Sequence, residues 1–104
     1  VTYSCYTTDA DGDLGHFSDI ILGKNKLDEN VIVYIQNGKY ERSHYTENER
    51  VVVWSFARKQ ENHPITFILS KKTSDVYMSW FDLKKARNSD GNPSSWMGLS
   101  CSKD

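Results

Sequence analysis

Two cysteines, Cys5 and Cys101, are the only ones in a chain of 104 residues, and they stand almost at its two ends. That spacing restricts the fold more than any other feature. A zinc site or a Cys-x-x-Cys redox centre needs thiols close together in sequence, and this pair is far apart. One long-range disulfide fits, with two independent buried thiols as the alternative. In the chain-entropy account, closing so long a loop removes about 4–5 kcal/mol of unfolded-state freedom, a large part of a small domain's stability. If the bridge forms, the chain matured along an oxidising secretory route. Asn92-Pro93-Ser94 adds no second mark of secretion, because proline at the middle position disqualifies it as a glycosylation acceptor. No stretch reads as a secretion signal, and a first residue Val1 suits a processed chain and a cloned fragment equally.

A chain of this length has room for one domain, residues 1–104, with one core. Hydrophobic residues make up 38% and aromatic residues 12%, too apolar for a disordered tail and too interrupted for a membrane span. A formal net charge of −1 argues against a dedicated polyanion binder and leaves room only for a local basic groove.

Along the chain, Tyr-Ser-Cys-Tyr at the start reads as a short strand with Tyr3 and Cys5 on one face. Leu14, Phe17 and Ile21 then recur at helical spacing, preceded by Asp9, Asp11 and Asp13 as capping oxygens and followed by Gly23, Lys24 and Lys26 as a stop. These predict one amphipathic helix over residues 11–24. The aspartates also resemble the start of a calcium loop, but Leu14 falls where that loop needs glycine and Ile20 where it needs glutamate. No metal or other cofactor is expected.

Beyond the helix the period changes from 3.6 to 2. Asn37-Gly38 lies between two alternating runs and predicts a type I′ hairpin. The runs around Val51–Arg58, Pro64–Ser70 and Asp75–Phe81 and a last strand ending in Cys101 complete a meandering antiparallel sheet, with residues 84–95 as a polar loop. The expected fold is α+β, a single N-terminal helix packed on an antiparallel β-sheet and closed by one terminal disulfide. Trp54, Trp80 and Trp96 each sit in an apolar run and read as core.

Tyr3-Ser4-Cys5, a cysteine near the C-terminus, one helix and then several strands resemble the RNase-like secreted effectors of powdery-mildew fungi, which are similar in fold to guanyl-specific fungal ribonucleases. The segment Phe-Ile-Leu-Ser-Lys-Lys-Thr-Ser-Asp-Val-Tyr is similar to the ribonucleases' strand-turn segment, and Tyr40-Glu41-Arg42 stands near their Tyr-Pro-His. The resemblance implies a microbial-ribonuclease-like fold, a secreted virulence effector delivered into the plant host cell, engagement of host RNA or host proteins, and detection by host immune receptors.

The catalytic residues of those enzymes are not matched. RNA cleavage through a cyclic phosphate needs a base for the 2′-hydroxyl and an acid for the leaving oxygen. The glutamate's place falls at Ile65, and His16, His44 and His63 all precede Pro64, so the late histidine is missing. The expectation is a pseudoenzyme with no catalytic residue, although His44 with Glu41 or Glu47, beside Arg42, is a substitute set to weigh. A sheet face carrying Tyr40, Arg42 and His44 suits base stacking and phosphate contact, and Lys71 and Lys72 extend it, as does the run from Lys84 to Arg87. The rival readings are an active secreted ribonuclease and a secreted protein-binding toxin or inhibitor whose specificity lies in loops 41–50 and 84–95.

Overall fold

The computed structural model describes residues 1–58, 63–88 and 91–104, with the side chains of Arg58 and His63 outside the description. The chain forms strands β1 (Thr2–Thr8), β2 (Leu14–Lys24), β3 (Asn30–Gln36), β4 (Lys39–His44), β5 (Thr46–Glu47), β6 (Val51–Arg58), β7 (His63–Ser70), β8 (Asp75–Phe81) and β9 (Ser94–Lys103), with one short helix, α1 (Leu83–Asn88). All the strands belong to one antiparallel sheet in the order β4-β3-β2-β1-β9-β8-β7-β6-β5. The sheet curls until β4 approaches β6, giving a nearly closed barrel. Pairing of β1 with β9 makes the two terminal strands neighbours. The break in the barrel therefore lies at β4 and β6, not at the chain ends.

The expected N-terminal helix is not there, and the fold is a β-barrel, not α+β or ribonuclease-like. Residues 14–24 form β2. Leu14 is 65% and Ile21 39% exposed, so the helically spaced apolar set does not share a buried face. The buried residues are Ser18 and Ile20, a period-2 pair whose first member is polar. A β-bulge disguises the alternation further: Cys5 pairs with Ser18 but Tyr6 with His16, leaving Phe17 as the extra residue.

The supposed helix signals close turns instead. Asp9 Oδ1 accepts hydrogen bonds from the Asp11 and Asp13 amides, both at 2.9 Å, around Gly12 at φ 85°. Asn25 Oδ1 does the same for Leu27 and Glu29 at the β2–β3 turn. The helix that does exist lies in the expected polar loop. Asp82 Oδ1 caps it through the Lys84 and Lys85 amides, and it buries no residue.

The strand expectations after residue 30 hold. Asn37 and Gly38 have φ 53° and 73° between the paired Gln36 and Lys39, as a type I′ hairpin requires. Inward residues alternate along β1, β3, β6, β7 and β8: Tyr3 and Cys5, Ile32 and Tyr34, Val52, Trp54 and Phe56, Ile65, Phe67 and Leu69, Val76 and Met78. Phe67 sits at the centre, its ring parallel to Trp54 at 5.1 Å and within 6 Å of Tyr34 and Phe56. Ile65, in the place of the ribonuclease glutamate, is core. Cys5 and Cys101 are bridged directly across β1 and β9.

Candidate functional site

Alternation along β4 turns Glu41 and Ser43 partly inward and leaves Tyr40, Arg42 and His44 exposed on the outer face, with Tyr40 72% exposed. These three residues therefore share one stripe. The other side of the seam is β6. Ser43 Oγ donates to the Ser55 carbonyl at 3.1 Å, and a cleft of about 460 Å³ opens between Glu41–Ser43 and Ser55–Ala57. Tyr45 and β5 cross from β4 to β6 and close the barrel at the His44 end, where Thr46 pairs with Val53.

Lys71 and Lys72, from the β7–β8 turn, stand at that same end. Lys71 Nζ binds Glu47 Oε2 at 2.8 Å, and Lys72 is exposed. Topology adds two cations that sequence reasoning missed, Lys24 at the end of β2 and Lys103 at the end of β9. Lys24, Lys71 and Lys103 rim a cleft of about 470 Å³ with an apolar floor of Tyr3, Leu22 and Val52 and with Glu47 as the one carboxylate among its described lining residues. Lys24 also reaches Asp28 at 3.5 Å, whereas Lys103 and Arg42 have no ion-pair partner among the described residues. Tyr45 lines the same mouth. Burial, with a smaller push from Glu47, raises its hydroxyl pKa above the ordinary 10.0 against the opposing pull of Lys24 and Lys71. The run from Lys84 to Arg87 belongs to α1 and stands at the opposite end, beyond β8.

His44 does not meet Glu41 or Glu47; its Nε2 lies 3.5 Å from Glu29 Oε2. His16 Nε2 is 2.9 Å from Asp19 Oδ1 on the outside of β2. The expectation for His63 lies outside the described side chains. Residues 41–50 are mostly strand rather than a free loop, and residues 89–90 of the second loop lie outside the description. Among the described residues, no three His, Cys, Asp or Glu side chains are placed to hold a metal ion.

The expectation that all three tryptophans are core fails at one position. Trp54 is 2% exposed and Trp80 half-buried, but Trp96 is 73% exposed on the outer face of β9. The signal was present in strand parity. If Cys101 faces the core, Leu99 and Met97 do too, and Trp96 must face out. No protein-family model, curated protein or solved structure gives a significant match to this chain.

Proposed function

We propose that this protein is a secreted, non-catalytic binding module that holds single-stranded RNA along the outer face of β4 and the cationic barrel mouth beside it. The observation that carries the reading is the convergence of Lys24, Lys71 and Lys103 on the mouth at the His44 end of the stripe Tyr40, Arg42 and His44. An aromatic ring beside a line of cations is the combination that single-strand binders use, stacking for bases and charge for phosphates. The net charge of −1 is compatible with this because Lys24, Lys71 and Lys103 meet at the mouth. Asp9, Asp11 and Asp13 lie in the β1–β2 turn, at the other end of β1 and β2 from Lys24, Lys71 and Lys103.

The Cys5–Cys101 bridge supports an oxidising, secretory origin. Tyr3-Ser4-Cys5 and that bridge are what remain of the effector-like layout, since the helix is absent. Action inside a plant host, on host RNA or host proteins and in view of immune receptors, stays part of the proposal on that footing.

The test is a titration of end-labelled single-stranded RNA with oxidised protein at low and moderate salt, with the same samples then run on a denaturing gel. Salt-sensitive binding of intact RNA is expected. Shortened RNA, with the activity lost in His44→Ala, would make the protein an enzyme. Neither binding nor cutting would move the search to host protein partners.

A further inference from the structure

Charged residues make up 26% of the chain, yet one face of the barrel is almost free of them. β1 and β8 contain no lysine or arginine, and the only one in β9, Lys103, belongs to the mouth described above. What these strands turn outward is hydroxyl groups and rings. Register places Tyr6 opposite Ser100, Ser100 opposite Asp75, Gly98 opposite Tyr77 and Trp96 opposite Ser79. Tyr77 is 49% and Trp96 73% exposed, an exposure for large rings that solvent alone does not favour.

The face is also notched. The β1–β9 ladder ends at Tyr6 and Ser100, although β1 continues to Thr8 and β9 extends back to Ser94. Past Tyr6 the strands part, and a notch of about 180 Å³ opens there, walled by Tyr6 and Tyr77, floored by Gly98 and edged by Thr8, Ser100 and Asp75. Gly98 has only the Tyr77 ring near it, at 3.9 Å from where a Cβ would stand, so the missing side chain is what keeps the floor low. The Asp75 amide donates to Thr73 Oγ1, while its carboxylate has no hydrogen-bond partner among the described residues.

We propose that this notch binds a neutral sugar ring of an oligosaccharide, with Trp96 as the platform for the neighbouring ring. The chemistry selects that class. A free carboxylate accepts hydrogen bonds from two adjacent hydroxyls, and threonine and serine hydroxyls complete a polyol's donors and acceptors. The weakly positive C–H face of a pyranose sits well over the negative face of an aromatic ring. A polyanion is disfavoured because the notch offers it a carboxylate and no cation. His16, edge-on to the notch's Tyr6 at 5.7 Å, is itself held by Asp19. The notch shares no lining residue with the cationic mouth, although its Asp75 directly follows the mouth's Ser74, so sugar binding and RNA binding are tested by separate variants.

The experiment is isothermal titration of the oxidised protein with cellohexaose, laminarihexaose and chitohexaose, and with oligogalacturonate as the acidic counterpart. At least one neutral hexasaccharide should bind saturably. That affinity should fall about tenfold or more in Trp96→Ala and in Tyr77→Ala, each losing one stacking ring, and stay unchanged in Lys103→Gln. Both aromatic side chains are exposed, and an unchanged melting temperature certifies that each variant is folded. No binding of any neutral sugar at up to about 5 mM, the weak end of specific affinity, would overturn the proposal. Equal binding of oligogalacturonate, or unchanged affinity in both aromatic variants, would overturn it as well.

Discussion

Cys5 and Cys101 face each other across the antiparallel pair β1 and β9, with Cα atoms 4.0 Å apart at a sequence separation of 96. The bridge thus fastens the one strand pair of the barrel that no hairpin joins. Every other sheet neighbour is connected by a local turn or loop, so its loop-closure cost is small. Reduction, or the double change Cys5→Ser with Cys101→Ser, should lower unfolding free energy by about 2–5 kcal/mol in urea titrations. Peptide mapping without reductant should yield one linked pair of terminal peptides.

Phe67 is fully buried and touches the rings of Trp54, Tyr34 and Phe56. Three strands, β3, β6 and β7, therefore meet at one side chain. Phe67→Ala should cost about 3–5 kcal/mol, measured by the shift in urea midpoint at constant slope. Phe81→Ala, on a ring 43% exposed at the end of β8, should cost far less.

Ser18 is fully buried, and its hydroxyl has no hydrogen-bond partner among the described residues. Desolvating such a group opposes folding by about 1–3 kcal/mol. Ser18→Ala should therefore leave stability unchanged or raise it by about 1 kcal/mol, where an ordinary buried substitution would lower it. Thermal melts of the two proteins check the sign.

Ser18 also explains where sequence reading fails. The hairpin at Asn37-Gly38 and the later strands were legible because apolar residues there alternate cleanly, as Val52, Trp54 and Phe56 do. In β2 the inward position holds serine, and the bulge at Cys5/Tyr6 changes the phase, so Leu14, Phe17 and Ile21 mimic a helix that tertiary pairing overrides. Of the three aspartates expected to supply capping oxygens, Asp9 accepts backbone hydrogen bonds, but in a β-turn and from the amides of Asp11 and Asp13. For the site, alternation alone put Tyr40, Arg42 and His44 on one face. Lys24 and Lys103 are 79 residues apart and meet at the mouth only through the order β2-β1-β9, which no local pattern encodes.

Tyr45 gives a pH signature to the mouth. Its pKa is raised in the folded protein, chiefly by burial, so above pH 10.0 the unfolded chain loses this proton while the folded one retains it. The unfolded state then binds fewer protons, and stability falls as pH rises from the unfolded value through the folded one. Below that window the group contributes no pH dependence. Urea titrations between pH 8 and about 11 should show a steeper alkaline loss in the wild type than in Tyr45→Phe, which removes the titrating hydroxyl.

Arg42 and Lys103 separate charge from structure in the RNA reading, because neither has an ion-pair partner among the described residues. Arg42→Gln and Lys103→Gln should leave the melting temperature nearly unchanged. Each should weaken binding of any single-stranded sequence and lower the slope of log affinity against log salt by about 1. Lys71→Gln is a poorer probe, since it also frees the Glu47 carboxylate to repel phosphate. Tyr40→Ala acts through stacking instead. It should lose about 1–3 kcal/mol of affinity with the salt slope intact, and a slope change there would mean that the ring positions a cation rather than a base.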